Sequence, residues 1–143
     1  MKDIYLEHFI EAHKNHFNNA YTELESGRKR THWMWFIFPI AIGLGKSERA
    51  QYYALGSLEE VVAFIENEYL GGNYRACIKA VLKHRDKKAD EIFGHDRWKF
   101  HASLTLFYYV ESHQSLNTDL QACIDYFFQG HLCKNTFRQI QQL

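Results

Sequence analysis

Residues 97–110 read RWKFHASLTLFYYV, and the fold class turns on them. From Trp98 to Leu106 the apolar residues Trp98, Phe100, Ala102, Leu104 and Leu106 alternate with Lys99, His101, Ser103 and Thr105. Period two is the pattern of a half-buried strand. A strand needs a neighbour to take its backbone hydrogen bonds, and every other element of the chain has helical spacing. Only the aromatic block at 33–38 is left as a partner. The stretch is therefore read as a helix and the chain as all-α. On a helix, Asp96, Lys99 and Ser103 fall on one stripe, with His101 and Thr105 on an adjacent one.

Working outward, Leu6, Phe9, Ile10, His13, Phe17, Ala20, Tyr21 and Leu24 recur at spacings of three and four. They predict an amphipathic helix with a break near Asn18-Asn19, ended by Gly27. Ser47 is placed to cap a helix after the Gly43–Gly45 turn, and Ser57-Leu-Glu-Glu60 is a capping-box pattern opening another. The Gly71-Gly72 pair is the expected end of that one. Residues 73–93 read as one or two helices closed by Gly94. A helix over about 118–128 ends at Gly130, and a short tail helix follows Thr136.

At 143 residues the chain is most simply a single domain, residues 1–143. Its apolar content of 46% and aromatic content of 16% suffice for a core of its own. Seventeen basic residues balance seventeen acidic ones, so net charge announces no nucleic-acid surface. Cys77, Cys123 and Cys133 are odd in number and contain no CxxC, which points to reduced thiols in a cytoplasmic protein. The start, MKDIYLEHFIEAH, is too acidic for a signal peptide, and the longest apolar run contains Pro39 and is too short to cross a bilayer. No membrane partner is expected.

The stretch GRKRTHWMWFIFPIAIGLGKS, residues 27–47, sets cations beside aromatics. Core packing is the simpler reading for Trp33, Trp35, Phe36, Ile37 and Phe38, a short helix stopped by Pro39. His32 and Trp33, at its entrance, are the two placed to meet a ligand. Arg28, Lys29 and Arg30 precede a helix start, where free N–H groups favour an anion. GLGKS would need glycine at position 40 to complete a nucleotide-binding P-loop, and Ile40 is there, so a nucleoside triphosphatase is excluded. A smaller expectation survives: Gly43, Gly45, Lys46 and Ser47 form a backbone nest for one phosphate or carboxylate, against capping by Ser47 alone. In the 96–105 segment, Lys99, His101 and Ser103 either satisfy one another and the backbone or line a pocket. His13 and His16 are three apart but without an acidic ligand, and His8, His84, His95 and His113 stand alone, so no metal site is expected. No cofactor motif and no catalytic signature appears.

The segments SGRKRTHWMWFIFP, GLGKS, IFGHDRWKFHASLTLF and FFQG, followed by Thr136, resemble the domain of unknown function 1810 family across nearly the whole chain. The resemblance implies a multihelical single domain around a buried central helix, which supports the helical reading of 97–110. Bacterial members sometimes carry the label calpastatin, but that inhibitor's disordered repeats have no counterpart in so aromatic a chain. Three positions depart from the family pattern: Ile40 stands for a glutamine, Ala102 for a serine and Lys134 for an aspartate. SERAQYYA and FGHDRWKFHASLTLF also resemble segments of the NADAR family, which acts on N-glycosidic bonds of ribose phosphates and ADP-ribose.

Three functions follow as expectations. The first is a binding domain for a small anionic metabolite, a nucleotide or sugar phosphate, with Arg28, Arg30, Lys46 and Lys99 supplying charge and Trp33 a stacking surface. The second, from the NADAR resemblance, is a hydrolase of N-glycosidic or ADP-ribosyl bonds. Its oxocarbenium-like transition state wants a carboxylate, and Asp96 is the better placed if it is not spent as a helix cap. The third is a protein-interaction module using Tyr52, Tyr53, Tyr108 and Tyr109.

Overall fold

A helix forms wherever an apolar stripe of period 3.6 can be buried, and nine do so among the residues that the computed structural model describes, 4–110 and 114–143. His113 lies outside the described residues. The first helix, α1 (Glu7–Glu25), buries Phe9, Ala12, His13, Ala20 and Leu24. It runs through Asn18-Asn19 without the expected break, because both asparagines face outward and cost the helix only weak propensity. Gly27 ends it at φ +84°, and a Cβ there would press on the Lys87 and His84 side chains. Those two instead bond to the helix end: His84 Nε2 to the Glu25 carbonyl at 2.9 Å and Lys87 Nζ to the Gly27 carbonyl at 3.2 Å.

The aromatic block yields a single turn, α2 (Met34–Ile37), ended by Phe38 and Pro39. The chain then extends to Ala41, which pairs with Leu55 across a lone β-bridge. Ser47 caps α3 (Glu48–Tyr52), its Oγ accepting from the Ala50 N–H at 3.1 Å. Ser57 caps α4 (Leu58–Glu66) in the same way at 3.2 Å, while Glu60 reaches back to the Gly56 N–H at 2.8 Å.

The glycine pair does not end α4. It lies inside α5 (Glu68–Leu82), whose N-terminus is capped by Asn67 Oδ1 on the Leu70 N–H at 2.9 Å. Gly71 is buried against the end of α4, where a Cβ would collide with the Ile65 carbonyl oxygen. Close packing of two helix ends, not chain reversal, is what needs a glycine there.

After α5 comes α6 (Ala89–Phe93), stopped by Gly94 at φ +60°, and a 3-10 turn leads into α7 (Arg97–Val110). The helical reading of 97–110 is correct, and the strand-like alternation has a physical cause. Phe100 and every residue from Ala102 to Phe107 are buried, so α7 is covered nearly all round and needs no polar face. Its polar side chains find partners: Ser103 Oγ with the Tyr74 hydroxyl at 3.0 Å, and Thr105 Oγ1 donating to the His101 carbonyl at 3.0 Å. α8 (Gln114–Phe128) begins a turn earlier than expected, and Thr136 lies within α9 (Lys134–Ile140), not ahead of it.

α1 packs along α5, α4 and α6 along α7, and α8 and α9 close the other side of α7. One continuous core results. Phe38 sits at its hub, edge-on to Phe100, Tyr74 and Phe93 at centroid distances of 5.0, 5.6 and 5.9 Å. Among the described residues no helix is long and apolar enough to cross a membrane.

Candidate functional site

Of the three cations at 28–30, the middle one turns inward. Lys29 keeps only 8% of its side chain exposed, and its Nζ reaches Asp96 at 3.0 Å and the Thr31 carbonyl at 2.6 Å. Arg28 and Arg30, the two expected at the site, are exposed. Arg28 borders a separate hollow of mixed charge, lined also by Lys29, Lys87, Asp90 and Glu91. What secures this segment is Glu23 of α1, which no pattern singled out. Its carboxylate accepts from the Arg30 N–H (2.6 Å), the Thr31 N–H (2.9 Å), Thr31 Oγ1 (2.6 Å) and Trp33 Nε1 (3.0 Å). Partial burial alone would raise the Glu23 pKa, but these four donors outweigh it and hold it at about 2.

Trp33 is thereby consumed. It is 1% exposed, with its indole N–H on Glu23, and cannot stack on a ligand ring as expected. The half-buried member of the block is Trp35. Lys99 Nζ and Arg49 each lie 5.2 Å from the centroid of its indole, and exposed His32 stands 6.4 Å away.

Asp96 is not a helix cap. It holds Lys29 through one oxygen and Lys99 through the other, the latter at 3.1 Å. Burial pushes its pKa up, yet the hydrogen bonds from the two lysines prevail and leave it below the ordinary aspartate value. Asp96 is therefore ionised at neutral pH and shared between two lysines, which leave its immediate surroundings with a net positive charge.

Lys99 also lies 5.8 Å from the ring of Trp98, and Trp98 is the wall of a groove of about 550 Å³. His101 and Ala102 of α7 continue that wall, and Lys134, Asn135 and Arg138 of α9 face it. Leu44 and Leu132 supply its apolar surface. Among the described residues no carboxylate lines it. His101 is stacked on Phe128 at 4.0 Å and donates Nε2–H to the His131 carbonyl at 2.6 Å. Burial lowers its pKa, so the neutral ring keeps Nδ1 as an acceptor. Ala102 and Lys134, two of the three unusual positions, both border this groove, while Ile40 is buried at 7% exposure.

The other expected residues sit elsewhere. Ser103 is fully buried against Tyr74 and lines nothing. The Gly43–Ser47 turn is occupied by the protein itself: Ser47 Oγ is used on α3, and the position a Gly43 Cβ would take is filled by the Gln139 amide. Lys46 is exposed, with its carbonyl accepting from Gln51 at 2.9 Å. The turn meets the groove through Leu44, a residue that charge-based reasoning passes over. Sequence reasoning also missed Arg138 and Arg49. Lys134 and Arg138 are spaced i, i+4 on the tail helix, a basic pair on one face that could have marked it. Among the described residues no three metal-ligating side chains come together.

Comparison with known proteins bears on the family and the fold. The family model for a protein of unknown function, DUF1810, matches residues 3–140. The crystal structure of the conserved hypothetical protein Rv1873 from Mycobacterium tuberculosis superposes with a TM-score of 0.89 at 34% identity, over 95% of this chain and 96% of that one. No curated protein matches. The chain belongs to the DUF1810 family of proteins of unknown function.

Proposed function

We propose that this protein is a binding domain for a small anionic metabolite bearing a ring, of the nucleotide, ADP-ribose-like or sugar phosphate class. The observation that supports it is the groove between α7 and α9. It combines an indole wall (Trp98), two cations (Lys134 and Arg138) and an adjoining third (Lys99) with no carboxylate among its lining residues. Its volume of about 550 Å³ lies in the range of small-molecule sites. Arg138 offers a planar fork to a phosphate or carboxylate, Lys134 a point charge, and Trp98 a face for the ring.

The test is a thermal-shift screen against nucleoside mono- and diphosphates, ADP-ribose, NAD and sugar phosphates. A ligand at 100 times its dissociation constant stabilises by about 2.7 kcal/mol. Arg138→Gln and Trp98→Ala should each abolish the shift while leaving the unliganded melting temperature close to that of the parent. A flat screen at millimolar concentrations removes this reading and favours the interaction module. Of that module's tyrosines only Tyr52 and Tyr109 are exposed, and Tyr53 and Tyr108 pack on the core.

A second reading rests on Asp96. What supports it is that the carboxylate is ionised and free of capping duty, though it is shared between Lys29 and Lys99. An anomeric carbon held beside Trp98 and Lys99 would have this carboxylate as its nearest anionic stabiliser. Release of a base or of ribose from ADP-ribose conjugates, lost in Asp96→Asn with the fold intact, would establish it. Unchanged turnover in that variant would discard it.

A further inference from the structure

The cationic groove does not end at α9. Beside it lies a second hollow, of about 580 Å³ and predominantly apolar, lined by Leu58 and Val62 of α4, Tyr109 of α7 and Phe137 of α9. Leu132 borders both hollows. So does the pair Thr105 and Cys133, one residue on each side, joined by a hydrogen bond from the Cys133 N–H to Thr105 Oγ1 at 2.9 Å. Leu132 and this bonded pair thus form the boundary between a positively charged compartment and an apolar one.

The chemistry of the two compartments is complementary to a single kind of ligand. Lys134 and Arg138 stand i, i+4 on one face of α9, and Phe137 lies on the adjacent face with Tyr109 edge-on to it at 6.3 Å. Phe137 at 36% and Tyr109 at 46% exposure leave a substantial aromatic area in water. Among the described residues, the apolar hollow borders no charged side chain. A ligand that fills only the charged side leaves this surface wet, and one that is wholly apolar leaves the cations without a counter-ion.

We propose that the two hollows form one site for an amphipathic anion, in which a phosphate or carboxylate head sits between Trp98, Lys134 and Arg138 and an acyl or aryl group crosses Leu132 to lie against Phe137 and Tyr109. This assignment rests on the anion-binding reading of the groove and narrows its ligand class. The ring-bearing part occupies the Trp98 side, and the apolar part is a substituent on it. Each methylene buried in the second hollow is worth roughly a fourfold gain in affinity, so a chain that places even three there outbinds the bare head by roughly sixtyfold.

The probes are methyl phosphate, n-octyl phosphate and 1-octanol, each below its aggregation concentration, titrated by calorimetry or amide chemical shift into the full chain. n-Octyl phosphate should bind at least tenfold more tightly than either of the others. Phe137→Ala and Tyr109→Ala, both at exposed positions, should each cut its affinity severalfold without weakening methyl phosphate. Arg138→Gln should weaken both phosphates and leave 1-octanol unaffected. Equal affinities for methyl and octyl phosphate, with Arg138→Gln weakening both, overturn the two-compartment site and leave the anion reading standing. Equal affinities for 1-octanol and octyl phosphate overturn both. Binding by neither phosphate overturns both as well.

Discussion

His13 is nearly inaccessible, at 1% exposure, between α1, α2 and α5. Its Nε2–H donates to the Phe36 carbonyl at 2.7 Å, and its Nδ1 accepts from the Asn73 amide at 3.0 Å. Both ring nitrogens are thus satisfied by the neutral form, and burial depresses the pKa from 6.5 to about 4. The unfolded chain therefore binds a proton on this ring between those values and the folded chain does not. Stability rises with pH across that window and is lost as pH falls through it. A shift of this size is worth about 3 kcal/mol in full, of which about 2 kcal/mol falls between pH 7 and pH 5. That interval also lies above the range where Glu23 and Asp96, both depressed, contribute. His8 and His101 act in the same direction as His13 and must be subtracted. The comparison is accordingly between the parent and His13→Gln, whose amide keeps a donor for Phe36 but does not titrate. Urea unfolding at pH 7 and pH 5 should show the parent losing about 2 kcal/mol more than the variant. Parallel losses in the two proteins would refute the argument, as would a His13 ring that titrates near 6.5 by NMR.

Glu23→Ala strips the acceptor from the buried Trp33 indole N–H and should cost roughly 2 kcal/mol in chemical unfolding, with Glu23→Gln recovering part of it. Gly71→Ala should cost about 3 kcal/mol, because the new methyl meets the Ile65 carbonyl and neither helix end can yield cheaply, whereas exposed Gly72→Ala should be neutral or stabilising. Asp96→Asn leaves the sheltered Lys29 ammonium without its counter-ion and should lower stability by roughly 2 kcal/mol, a loss that Lys29→Met in the same chain reverses. That pair separates a structural effect of Asp96 from any effect on turnover.

Local chemistry was well written in the sequence where one residue decides one turn. Gly27 and Gly94 stop helices, and Ser47 and Ser57 start them, since a positive φ or a side-chain oxygen beside free N–H groups acts within a few residues. The helix at 97–110 was legible only by elimination, because a segment covered on all sides loses the periodicity that marks its type. Gly71 was misread because a glycine needed for close packing has the same letter as one needed for a turn, and the neighbour it makes room for is set by the tertiary fold. Charge was harder still. Arg28 and Arg30 looked like the site and Lys29 is the buried one, a choice made by Asp96, 67 positions away in the chain. Ser103 and Trp33 have the right chemistry for a ligand but had already been claimed by Tyr74 and Glu23. The groove itself joins α7 to a tail helix and a turn around Leu44, and no local pattern links those three.

The burial of α7 from Ala102 to Phe107 has a consequence for synthesis. As the chain leaves the ribosome, Phe100 to Phe107 emerge before the α8 and α9 segments that cover them. For the time needed to make and extrude roughly 30 further residues, at about 5–20 residues per second, this helix has only half its neighbours. The nascent chain at that stage is a natural client for chaperones that bind apolar segments. Any stop or frameshift after Val110 would release a fragment whose centre is its stickiest surface.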